Sequence, residues 1–127
     1  MKYLLDVNAL LAWVYIDQPE HHARVHSWGI KIGAPDMLTC AICELGFLRI
    51  SMARYGYDLA AANNALALVK RDVTGYIDTL PPPNLARWVL SHKHTTDAYL
   101  CQLASAHGMK LATFDTGIKD SAVFHIP

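Results

Sequence analysis

The sequence predicts an α/β domain with a mainly parallel central sheet and helices on both faces. Two observations carry that expectation. Short apolar runs of strand length, at residues 3–7, 110–113 and 123–126, are separated by longer stretches bearing helix start and stop signals. Hydrophobic residues make up 53% of the 127 positions and charged residues only 17%. That apolar excess suits either a sheet buried on both faces or a large apolar contact with a partner. A chain of this length buries about two-thirds of its unfolded surface, enough for one core without disulfides or a structural metal. A single domain over residues 1–127 is therefore expected.

Taken in order, residues 3–7 read as a buried strand and residues 9–16 as a helix. Pro19 fits the first turn of a second helix, whose body at 20–31 has Ala23, Val25 and Trp28 as its apolar points. Gly33, Ala34 and Pro35 break the chain before a short strand at 35–38. Thr39 is a candidate N-cap for a helix at 40–53 that Gly56 ends, and Asp58 caps an Ala/Leu-rich helix reaching Arg71. Residues 76–78 form a short strand, three consecutive prolines at 81–83 a loop, and residues 84–91 a short helix. Thr95 and Thr96 are cap candidates for a helix at 97–106 that Gly108 closes. Strands follow at 110–113 and 123–126. There is no internal repeat, low-complexity segment or interdomain linker.

Lys plus Arg number 11, as do Asp plus Glu. A zero net charge counts against tight nonspecific nucleic-acid binding but leaves room for a local basic rim. The three cysteines include a C-x-x-C pair, Cys40 and Cys43. A zinc site would need a second pair, so buried thiols are expected, in a reducing compartment. No apolar run approaches the ~20 residues of a membrane span, and Asp6 and Asn8 interrupt the apolar N-terminus. A cytoplasmic protein with no membrane contact is expected.

The acids carry the chemistry. Asp6 and Asp115 each follow a strand, and ligands of parallel sheets bind beyond the carboxyl ends of the strands. Asp97, in a helix first turn, is either a capping acid or a third member of the same edge. Glu44 has Cys40, Ala41, Phe47 and Leu48 as helical neighbours. On such a face it must be exposed at an edge, paired with Arg49 or Lys31, or bound to a cation. Four converging carboxylates repel, and a divalent cation removes the conflict. Mg²⁺ suits oxygen ligands and retained waters, in a site of one or two ions. Asn8 shares a face with Asp6 if the strand continues, or caps the following helix. Thr113 stands in the same relation to Asp115.

These residues carry a family resemblance. Leu4-Leu5-Asp6-Val7-Asn8-Ala9-Leu10-Leu11, then Glu44 with Leu48-Arg49, then Thr96-Asp97-Ala98-Tyr99-Leu100 with Leu103-Ala104, then Leu111-Ala112-Thr113-Phe114-Asp115, together resemble the PIN-domain family. The chain is most similar to the VapC-type toxins of type II toxin–antitoxin pairs. The resemblance implies a PIN-like fold and an Mg²⁺- or Mn²⁺-dependent endoribonuclease. It also implies a homodimer and a small antitoxin as inhibitor. It assigns Asp6, Glu44, Asp97 and Asp115 to the metal, with Asn8 and Thr113 in support. It gives no residue-level assignment at 20–33 or 58–83. Three alternatives stand beside it: a PIN-fold nuclease of RNA processing, a phosphatase with an aspartyl nucleophile, and a non-enzymatic binding module. The phosphatase needs Asp-x-Asp where this chain has Asp6-Val7-Asn8.

Other constellations are weaker. His22 and His26 lie one helical turn apart beside His21, but no H-E-x-x-H motif exists, so a solvated or RNA-facing helix face is expected. His92-Lys93-His94 is either a polar loop or a contact for RNA phosphates. Trp13, Trp28 and Trp88 are expected in the core. Phosphate-binding glycine loops and a G-x-S-x-G elbow are absent.

Overall fold

The computed structural model describes residues Met1–Pro127 and holds five strands in one sheet. These are β1 (Tyr3–Leu5), β2 (Met37–Cys40), β3 (Gly75–Ile77), β4 (Lys110–Thr113) and β5 (Val123–His125). Their spatial order is β3-β2-β1-β4-β5 and every pairing is parallel. Five α-helices connect them: α1 (Val7–Val14), α2 (Pro19–Ile32), α3 (Ala41–Tyr55), α4 (Leu59–Lys70) and α5 (Thr95–Ala106).

The strand order explains the layers. From β1 the chain steps outward to β2 and β3, then returns to the other side of β1 for β4 and β5. Right-handed crossovers place α1 to α4 on one face and α5 on the other. Accordingly α1 packs on α2, α3 and α4, whereas α5 packs on β4. The direction reverses between β1 and β4, and their carboxyl ends flank the resulting crevice. Leu4, Leu5 and Leu111 from these two strands are wholly buried with Leu10, Phe47, Leu100 and Leu103 from the helices.

Close approach of α1 to α3 rests on one glycine. A Cβ at Gly46 would lie 2.7 Å from Val7 Cγ2. The bare backbone lets the start of α1 lie against α3 near Cys43 and Phe47, both fully buried. At its other end α1 is held by α2. His22 Nδ1 lies 2.8 Å from the Ala12 carbonyl oxygen, and His26 Nε2 lies 2.7 Å from that of Trp13. These carbonyls belong to the last helical turn, which lacks partners of its own. The expected solvated or RNA-facing role of His22 and His26 is therefore replaced by capping.

Several boundaries differ from the sequence expectation for identifiable reasons. The first strand stops at Leu5 because Asp6 caps α1, its Oδ1 accepting from Val7 N at 2.8 Å. Asn8 is consequently inside the helix and not its cap. Thr39 remains in β2, and Cys40 occupies the N-cap position without a side-chain bond. Thr95 begins α5, with His94 at the cap. The expected helix at 84–91 does not form. Prolines 81–83 lack donors, and α5 captures the loop instead. Tyr99 Oη donates to Pro81 O (2.5 Å), Gln102 Nε2 donates to Pro82 O (3.1 Å), and Asn84 N donates to Gln102 Oε1 (2.8 Å). Trp13 and Trp28 are core residues as expected, while Trp88 is half-buried with its Nε1 donating to Asp120 Oδ2. All three cysteines are free and buried.

Gly46→Val should overpack the α1–α3 contact and cost about 1–3 kcal/mol of stability. Chemical denaturation measures this, and the double variant with Val7→Ala should recover part of the loss. Equal loss in the single and double variants would show that Val7 is not the obstructing group.

Candidate active site

The crevice between β1 and β4 is organised by Thr113, which is fully buried. Its hydroxyl donates to Asp6 Oδ2 at 2.8 Å and accepts from Asn8 Nδ2 at 3.0 Å and from Asp115 N at 3.0 Å. One donor and two acceptor positions are all a threonine hydroxyl has, so the group is fully used. Asn8 completes the tie with its Oδ1, which accepts from Phe114 N at 3.1 Å. The ends of β1 and β4 are thus joined by side chains beyond the last ladder bond, Asp6 N to Ala112 O.

Asp6 is buried, and both carboxylate oxygens accept a bond, from Val7 N and from Thr113. Burial still pushes its carboxyl above the ordinary range, with the charge of Asp115 adding to the rise. Asp115 is exposed, and its Oδ1 accepts from Gly117 N at 2.8 Å. Asp97 lies in the first turn of α5, where the helix dipole favours a carboxylate. Partial burial and the charges of Asp6 and Asp115 outweigh that help and raise Asp97 to about 6. The three aspartates therefore feel one another, although they come from beyond the ends of β1 and β4 and from the start of α5.

All three line one cavity of about 590 Å³, with Asn8 on the same wall. Arg49, Arg54 and Lys93 line it too, so the carboxylates face positive charge within a single concavity. The sequence offers Lys93 as a phosphate contact and Arg49 only as a possible partner of Glu44 and a neighbour of it in the family resemblance; nothing in it singles out Arg54, five residues on along α3. Aromatic rings complete the wall: His21, Phe114, Tyr15 and Tyr55.

Glu44 does not line this cavity. Its Oε1 lies 3.2 Å from Lys70 Nζ on α4, a partner that neither Arg49 nor Lys31 supplies. Its Oε2 is buried without any hydrogen-bond partner. The sequence-predicted acids thus divide into three brought together and one held apart.

The donor set has the chemistry of a hard-cation site: oxygen ligands only, with the Asp6 and Asp97 carboxylates destabilised by burial and by neighbouring negative charge. No three His, Cys, Asp or Glu side chains are drawn tightly enough to enclose an ion. The residues fit a divalent cation that keeps several waters, as Mg²⁺ does, rather than one caged by protein. Beside the basic groups, such a site can hold a phosphodiester and assist its hydrolysis.

The model of the PIN domain family matches residues 3–123. Similar proteins include Ribonuclease VapC44 of Mycobacterium tuberculosis (strain CDC 1551 / Oshkosh), 36% identical over 97% of this chain and 92% of that protein. Ribonuclease VapC38 of Mycobacterium tuberculosis (strain ATCC 25618 / H37Rv) is 31% identical over 91% of this chain and 86% of its own length. Ribonuclease VapC39 of the CDC 1551 / Oshkosh strain is 31% identical over 96% and 94%.

Asp97 has a definite stability signature. Its folded pKa of about 6 lies above the ordinary 3.8, so its ionisation opposes folding. The opposition is absent below pH ~4, grows as pH rises through 6, and is complete above it. In EDTA, Asp97→Asn should raise the melting temperature relative to the parent above pH 6, and the gap should close near pH 4. Added Mg²⁺ should stabilise the parent more than the variant. A pH-independent gap would contradict the shift.

Proposed function

This chain belongs to the PIN-domain family, and on that premise we propose that it is an endoribonuclease hydrolysing RNA phosphodiester bonds with Mg²⁺ or Mn²⁺. The observation that carries the reading is the sharing of one cavity by Asp6, Asp97 and Asp115 with Arg49, Arg54 and Lys93. Acid oxygens for a cation and basic groups for phosphates are what this reaction needs side by side. The reading treats residues 1–127 as one nuclease domain.

Asp6, Asp97 and Asp115 would hold the cation. When bound, it supplies Lewis acidity for attack by water on phosphorus and offsets charge on the leaving oxygen. Asp6 is the pre-oriented member, fixed by Val7 N and Thr113. Asn8 and Thr113 act through it, holding the ends of β1 and β4 at a constant separation. Lys93, Arg49 and Arg54 bind and orient the strand through its phosphates. Glu44 is assigned as the fourth acid. Its unpartnered Oε2 supports that role, which requires it to turn from Lys70.

The resemblance to VapC-type toxins extends the proposal to biology. The chain is the toxin of a type II toxin–antitoxin pair, acting in the cytoplasm as a homodimer and inhibited by a small antitoxin. Exposed Leu45 and Met52, two turns apart on one side of α3, support a protein-binding surface. No helix is long and apolar enough to cross a membrane.

Purified protein incubated with total cellular RNA should generate new 5′ ends only when Mg²⁺ or Mn²⁺ is present. Asp97→Asn should lower the rate at least 100-fold while leaving the circular dichroism spectrum intact. Expression of the parent chain alone should arrest growth, and expression of the variant should not. Undiminished cleavage by Asp97→Asn sinks the site assignment, and cleavage without growth arrest removes the toxin role.

Glu44 is tested by contrast with its partner. Glu44→Gln should reduce cleavage at least tenfold, whereas Lys70→Met should leave it near the parental level. Similar effects of the two substitutions would reduce Glu44 to a structural ion pair.

A further inference from the structure

We propose that His21 is a stacking platform that receives a nucleobase of single-stranded RNA next to the phosphate held at the carboxylates. The inference rests on the ribonuclease reading and specifies how that site seats its substrate. The His21 imidazole lies parallel to the Phe114 ring, with centroids 4.2 Å apart and planes inclined by 4°. Phe114 directly precedes Asp115, and its backbone N–H is held by Asn8. The stack is therefore tied to Asp115 by one peptide and to Asn8 by one hydrogen bond. Both rings line the cavity that Asp6, Asp97 and Asp115 line.

The neighbouring histidines show why His21 is distinct. His22 and His26 are committed to the terminal carbonyls of α1, which fixes the rotation of α2 and turns His21 toward the cleft. Arg24, one turn along α2, lies 5.0 Å from the Phe114 centroid and donates to Ile126 O, so the ring beneath His21 is held from α2 as well. Tyr55 also stacks in the cavity, 3.8 Å from Tyr15, but its hydroxyl donates to Asp17 Oδ1 at 2.8 Å, and neither of these two rings adjoins Asp6, Asp97 or Asp115 in the chain.

An aromatic face beside a phosphate site binds unpaired bases, because every base has a π-face and a duplex keeps its own bases stacked. Arg49, Arg54 and Lys93 on the same walls supply contacts for the flanking phosphates. The imidazole edge adds hydrogen-bonding groups that can prefer one base over another.

The experiment uses an octaribonucleotide carrying 2-aminopurine at each position in turn, titrated into the Asp97→Asn protein with Mg²⁺ so that the strand stays whole. Fluorescence should quench at one or two positions. Adding His21→Ala should abolish that quench and weaken binding on the order of tenfold, and His21→Trp should restore both. In the otherwise unaltered enzyme, His21→Ala should raise KM, spare kcat and broaden the nucleotide frequency at mapped cleavage sites. An unchanged quench in a folded His21→Ala protein overturns the stacking role while cleavage by the parent leaves the ribonuclease reading standing. Parent protein that neither binds nor cuts RNA overturns both.

Discussion

A threonine hydroxyl has one proton and two accepting lone pairs, and at Thr113 all three are engaged across the β1–β4 boundary. The proton goes to Asp6, and the lone pairs take Asn8 and the Asp115 amide. This boundary is where the strand order reverses, so no helix crosses it to fill the crevice. The topology opens a cleft and the hydroxyl sets its width. Valine, nearly the same shape, would leave a buried carboxylate oxygen, an amide and a backbone N–H without their partner, each a cost of about 1–3 kcal/mol.

Charge is arranged around that cleft in a way the total conceals. Lys plus Arg equal Asp plus Glu across the chain, yet four aspartates, Asp17 among them, line one cavity with Arg49, Arg54 and Lys93. Asp6, Asp97 and Asp115 sit at strand and helix ends, where backbone N–H groups offer partial compensation. It is incomplete, since both Asp6 and Asp97 are harder to ionise than a free carboxyl. On the proposed reading a cation would relieve a strain built into the fold, and the basic residues would hold an anionic ligand at the same place.

Much of this was legible in the sequence. Asp6 and Asp115 could be placed together because strand ends in a parallel sheet share an edge. Asp97 followed because the helix before β4 begins at that edge. What escaped is of another kind. Whether Asp6 or Asn8 caps α1 depends on two residues of strand length, which apolar patterning does not resolve. The loop at 84–91 lost its helix to hydrogen bonds from Tyr99 and Gln102, long-range contacts without a local signal. The choice of Lys70 as partner for Glu44 follows from the packing of α4 on α3. The His21–Phe114 stack joins residues from α2 and the end of β4, and only the assembled fold brings them together.

The double duty of Asp6 divides the acids into a fixed post and adjustable arms. Its two oxygens start α1 and close the Thr113 tie, so it cannot swing toward a ligand without unmaking both. Asp115 is exposed, Asp97 is half-buried, and Glu44 is held only by its ion pair with Lys70, so adaptation to a ligand falls to them. A substitution at Asp6 therefore confounds folding with chemistry, and one at Asp97 separates them. In a cell the same asymmetry makes Asp6 the position where loss of function arrives together with loss of the protein itself.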